Sequence, residues 1–141
     1  MGIEFRLDGG SRVAVLGGEG LRTVRDWLAA VDRGALRARH GTAEALLLDF
    51  RSAGYTPSAR EARALVAALV GLCGERLPPV AILTHPGVQY GGARVLCMMG
   101  ELRGCQAAAF QDEESAWQWL RAVLADGLPP NSESGRTQLE A

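Results

Sequence analysis

The chain has 141 residues, a formal net charge of -1 and 48% apolar residues. That length fits one domain with one buried core, and that apolar share excludes a disordered chain. Acids and bases spread along the sequence leave no basic footprint for nucleic acid, and no stretch approaches the roughly 20 apolar residues of a membrane span.

Ile3, Phe5 and Leu7 alternate with Glu4, Arg6 and Asp8, the period of a half-buried strand. Asp8-Gly9-Gly10-Ser11 is turn chemistry, because glycine supplies the positive φ of a tight hairpin. Arg12 to Leu16 returns as the second strand and Gly17-Gly18-Glu19-Gly20 breaks it. Leu21, Val24, Trp27, Leu28 and Val31 fall at helical spacing, which predicts a first helix over about 20–33. Residues 34–42 are mostly polar and read as a loop with an extra turn. Ala45 to Phe50 is apolar without alternation as far as Asp49, which suits a central parallel strand covered on both faces.

Pro57 and the Ser58-to-Glu61 spacing mark the start of a second helix, with Leu65, Val66, Leu69, Val70 and Cys73 as its buried stripe. Gly74 and Pro78-Pro79 end it. Val80 to Thr84 is a buried strand, and a third helix follows the His85-Pro86-Gly87 loop through Leu102. Ala107 to Phe110 is the last strand. Asp112-Glu113-Glu114 favour the positive end of a fourth helix, whose apolar face is expected to hold Ala116, Trp119, Leu120, Val123 and Leu124, with Trp117 turned away from it. The result is an α/β fold: a β-hairpin start, then βαβ units, giving a five-stranded, mostly parallel sheet with four helices. Residues 1–127 form one domain on this reading, and 128–141 a disordered tail.

The residue inventory excludes several chemistries. The chain has no lysine, so Schiff-base enzymes and Walker-type nucleotide sites are out. Cys73, Cys97 and Cys105 form no C-x-x-C pair, and read as packing residues instead of a disulfide or zinc framework. No metal and no cofactor is expected. Gly17-Gly18-Glu19-Gly20 lacks the full dinucleotide-loop spacing, and Glu19 opposes a pyrophosphate. His40 and His85 stand alone in sequence; Cys97 could meet His85 across one loop, but falls mid-helix among apolar neighbours. The charged start Met1 to Arg6 lacks a signal-peptide core, and Arg6 stands where a myristoylation signal needs Ser or Thr. A cytoplasmic location is the expectation.

Three motifs carry a family resemblance. Leu46-Leu47-Leu48-Asp49-Phe50-Arg51 looks like an apolar strand ending in Asp-x-Arg. Tyr90-Gly91-Gly92-Ala93-Arg94 looks like a Tyr/Phe-Gly-x-Ala-Arg helix start. Phe110 to Leu120 looks like an acidic run followed by Ala-x-x-Trp-Leu. In this order and spacing, over residues 3–125, the chain resembles the SpoIIAA-like branch of the STAS/SEC14-type domains. The resemblance implies a binding domain, not an enzyme: a regulatory module that meets a protein partner, or, as in SEC14-type relatives, a carrier or sensor of a small apolar or lipid-like ligand.

The candidate sites follow. Ser58 lies where the family's switch serine is phosphorylated, though its neighbours Pro57, Ala59 and Arg60 depart from that motif and a helix-capping role also explains it. Asp49, Arg51 and Arg94 are expected together at the carboxyl edge of the sheet, with Tyr90 nearby, as an ion-paired brace or as a site for a small polar ligand. Val95-Leu96-Cys97-Met98-Met99 is apolar almost around the helix, which implies a homodimer or protein interface, an apolar ligand, or intramolecular packing.

Overall fold

The computed structural model describes residues 3–8, 10–52 and 54–126. Its elements run β1 (Ile3–Asp8), β2 (Ser11–Gly17), α1 (Val24–Arg39), β3 (Ala45–Asp49), α2 (Ala59–Cys73), β4 (Val80–Leu83), α3 (Val88–Leu102), β5 (Ala107–Phe110) and α4 (Glu113–Asp126). The five strands lie in chain order, with β1 antiparallel to β2 and every later neighbour parallel. The expected α/β architecture and order of elements are therefore present. The tail expected over 128–141 lies outside the described residues.

Alternation along each strand divides the core. Ala14, Leu16, Leu46, Leu48, Val80 and Ile82 face one side, against α1, α2 and α3. Val13, Val15, Ala45, Leu47, Ala81 and Leu83 face the other, against α4. Both faces of the central strands are thus covered, which accounts for the unbroken apolar run Ala45–Leu48. The first face also holds an aromatic nucleus: Trp27 meets Phe50 edge-on with ring centroids 4.5 Å apart and stacks on Tyr55 at 6.0 Å. The buried Trp27 indole N–H is satisfied by the Leu21 carbonyl at 2.9 Å.

Three expectations need correction. The first helix starts four residues later than predicted and continues through the expected loop to Arg39. Its start is fixed by a capping box: Thr23 accepts from the Asp26 N–H while the Asp26 carboxylate accepts from the Thr23 N–H. Its continuation passes Gly34 at a close approach to the sheet, where a Cβ would stand 3.3 Å from Leu16 Cδ1 and Leu46 Cδ2. The fourth strand ends at Leu83, one residue early, although Thr84 is still fully buried. On α4, Trp117 and not Trp119 is the buried tryptophan. The stripe is centred on Leu120; at roughly 100° per residue Trp117 sits about 60° from it and Trp119 about 100°. Trp119 packs at the margin against Phe110.

Candidate functional site

The four parallel strands end level. Gly17, Asp49, Leu83 and Phe110 form one register row, so the loops that follow them share one rim. This is the edge at which open α/β sheets place ligands. Gly17 fits closely there: a Cβ would lie 3.0 Å from the Asp49 carbonyl oxygen, so a larger residue needs the neighbouring backbone to give by a few tenths of an ångström.

Asp49 and Arg51 meet at this rim as a bidentate pair. Arg51 Nε donates to Asp49 Oδ1 at 3.0 Å and Nη2 to Oδ2 at 2.9 Å, and the Arg51 backbone N–H donates to Oδ1 at 3.0 Å. Hydrogen bonding to Asp49 raises the Arg51 pKa further above its ordinary value. The same guanidinium approaches Glu113 Oε1 at 3.7 Å, and Arg6 approaches Glu113 Oε2 at 3.5 Å. Arg6 also lies over the Trp117 ring, 5.7 Å from its centroid. The chain of charges ties β1 and the loop after β3 to the start of α4. Its guanidiniums face carboxylates of this same chain, so the arrangement braces the rim and offers an incoming anion little.

Arg94 does not join this group. Among the described residues no hydrogen bond or ion pair links it to Asp49 or Arg51. Ala93 is fully buried, and one residue further, about 100° around the helix, Arg94 is turned to solvent. It lines a groove of about 470 Å³ between α3 and the outer edge of β5, with Tyr90, Gly91, Met98, Glu101 and Ala108. The other part of the Tyr90–Arg94 motif is packing. A Cβ at Gly92 would stand 2.8 Å from Thr56 Cγ2, so with threonine at 56 a glycine lets α3 approach the loop before α2 this closely without a shift.

Ser58 caps α2. Its Oγ accepts from the Glu61 N–H at 3.1 Å, and Glu61 Oε1 accepts from the Ser58 N–H at 3.2 Å and from the Tyr55 hydroxyl at 2.8 Å. Burial, then the Glu61 hydrogen bond, pushes the Tyr55 hydroxyl pKa up, so it stays a donor at neutral pH. Ser58 itself is exposed.

Sequence reasoning missed Gln89. Its buried side chain donates from Nε2 to the Phe50 and Tyr55 carbonyls at 2.9 and 3.0 Å and accepts at Oε1 from the His85 N–H at 2.8 Å. It stitches the loops after β3 and β4 to the first turn of α3. A polar residue next to a loop carries no distinctive sequence signal, so periodicity could not single it out.

The described cysteines are buried and free. Burial, with the charge of Glu101 behind it, pushes the Cys97 thiol up to about 12, the opposite of what a nucleophile requires. His85 is exposed, its backbone N–H held by Gln89. Among the described residues no group of three His, Cys, Asp or Glu side chains is placed to hold a metal ion, and no helix is long and apolar enough to cross a membrane.

An apolar cavity of about 40 Å³ lies between the sheet and α1–α3, lined by Val31, Leu46, Leu65, Leu69 and Leu96 among others. On the outside of α3, Val88, Val95, Met98 and Leu102 are 83%, 37%, 59% and 86% exposed. The chain matches no family model, no curated protein and no solved structure at a significant level.

Proposed function

We propose that the chain is a non-catalytic, STAS-like binding domain that acts by protein–protein contact through the outer face of α3. One observation carries this reading: four large apolar side chains on a single helix are left in water beside the groove that holds Tyr90 and Arg94. Scattered exposed apolar residues are ordinary, whereas a contiguous stripe rimmed by charge marks an interaction surface. The rim is already occupied by its own ion pairs, and the thiols are buried, which supports binding over catalysis.

The alternative, a carrier or sensor of a small apolar ligand, has a cavity of about 40 Å³ to work with. Pockets that enclose organic ligands run to about 300–1,000 Å³. The carrier reading therefore needs α2 or α3 to move away from the sheet.

A photo-crosslinking amino acid at Met98, with a control at exposed Arg63 on α2, tests the proposal in the protein's own cells. Protein adducts at Met98 in clear excess over Arg63 are the expected result. Equal yields at the two positions would overturn it.

A further inference from the structure

We infer that the α3 face is a self-complementary dimer surface, and that its occupant is a second copy of this chain packed with its α3 antiparallel. The inference rests on the reading of α3 as a protein-binding face and goes on to name the partner and the register. Val88, Gly91, Val95, Met98 and Leu102 are spaced by three and four residues in turn, the seam of a helix pair. Stepping roughly 100° per residue, their centre lies about 180° from that of the buried residues Gln89, Ala93, Leu96, Cys97 and Gly100. The stripe therefore points straight out from the domain.

The flanking residues select the partner. Arg94 and Glu101 are seven positions apart, sit on the same side of the stripe, line the same groove and are both exposed. Among the described residues neither side chain makes a hydrogen bond or an ion pair. Within one helix they are about 10 Å apart along the axis, too far to pair. A two-fold axis crossing α3 near residue 97 brings each Arg94 beside the Glu101 of the second copy, twice per dimer. The same operation sets Val95 against the second copy's Met98. It also sets Leu102 against the second copy's Gly91, so the most exposed apolar side chain of the helix meets the position that has none. A parallel pairing would carry the two copies' flanking charges to opposite sides of the seam, so that Arg94 never meets the second copy's Glu101. One helix pair is a small interface, so the dimer should be reversible and dependent on concentration.

Sedimentation equilibrium on the full chain from about 1 to 200 µM, a range spanning ordinary reversible affinities, tests the inference. The wild-type chain should dimerise. Arg94→Glu and Glu101→Arg should each weaken dimerisation about tenfold or more, because each reverses two contacts per dimer. The double variant, which restores both pairs with their signs exchanged, should return to within about threefold of wild type. Arg94→Gln and Glu101→Gln, which discharge without reversing, should fall between. Circular dichroism melting of each variant confirms that it folds. A wild-type chain that stays monomeric across the range overturns the inference, as does a dimer indifferent to both single reversals or a double variant as weak as the singles. In the crosslinking experiment, adducts at Met98 of other than twice the subunit mass would remove this inference and leave the protein-binding reading standing. No excess at Met98 would remove both.

Discussion

The side-chain amide of Gln89 donates to the main-chain carbonyl of Phe50 at 2.9 Å, across 39 positions of sequence. With its bonds to Tyr55 and His85 it holds two rim loops against one helix start. Gln89→Leu keeps the volume but leaves these backbone groups without partners, so a loss of about 2–4 kcal/mol is expected in urea unfolding. Gln89→Glu should depend on pH. Two carbonyls facing the new carboxyl raise its folded pKa above the unfolded value, so the variant's deficit against wild type opens as pH rises through about 4.3. A gap in thermal midpoint equal at pH 4 and pH 7 would contradict this.

Trp117→Ala should be the damaging tryptophan substitution on α4. It empties a buried site between the sheet and the Arg6 guanidinium, at a cost of about 3–5 kcal/mol. Trp119→Ala strips a half-exposed ring from the margin and should cost less than half as much. Urea midpoints that rank the two the other way would place the wrong face of α4 on the sheet.

Gly92→Ala should destabilise by about 1–3 kcal/mol, since its Cβ would meet Thr56 Cγ2 at 2.8 Å and the gain in helix propensity only partly offsets the strain. The contact names its own rescue. Thr56→Ser removes Cγ2, so Gly92→Ala in that background should lose most of its penalty. An unchanged penalty in the double variant would show that the strain lies elsewhere.

Helix starts should give way first in acid. Asp26 is held below its ordinary value of 3.8 by the Arg22 backbone N–H, then by the backbone and hydroxyl of Thr23. Asp112 is held below 3.8 by the Ser115 backbone N–H, then by its hydroxyl. A lowered folded pKa means stabilisation that is present above 3.8 and lost as pH falls through the folded value. Asp26→Ala and Asp112→Ala should therefore melt below wild type at pH 6, with the gap closing as the pH falls below 3.8. A gap constant across that range would assign the effect to something other than carboxylate charge.

Local signals in the sequence were sufficient where one residue's chemistry decides the outcome. The Ser58–Glu61 box appears where its spacing predicted, and Gly74, with φ 63°, ends α2. They were insufficient where distant partners decide. Gly34 looks like a helix stop in isolation, and is tolerated because Leu16 and Leu46 leave it just enough room. Asp49 was legible as an ion-pairing strand end, but its strong partner is Arg51, two residues on, and the further contact at Glu113 comes from a helix whose acidic start reads only as dipole complementarity. The placement of Arg94 turned on a single step of 100° around α3, which a motif read as a unit cannot resolve.

The two faces of the sheet close at different times during synthesis. Val13 and Val15 leave the ribosome early, and Leu47, Ala81 and Leu83 join them as the parallel strands are added. The first face gains a helix with each crossover. The second waits for α4, which follows every strand of the sheet. Until Ala116, Trp117 and Leu120 are out of the exit tunnel, a nascent chain with a nearly finished sheet carries an oily, uncovered surface. Slow emergence of α4 should therefore commit the chain to chaperones or to aggregation, whereas slow emergence of the earlier helices leaves less finished sheet exposed.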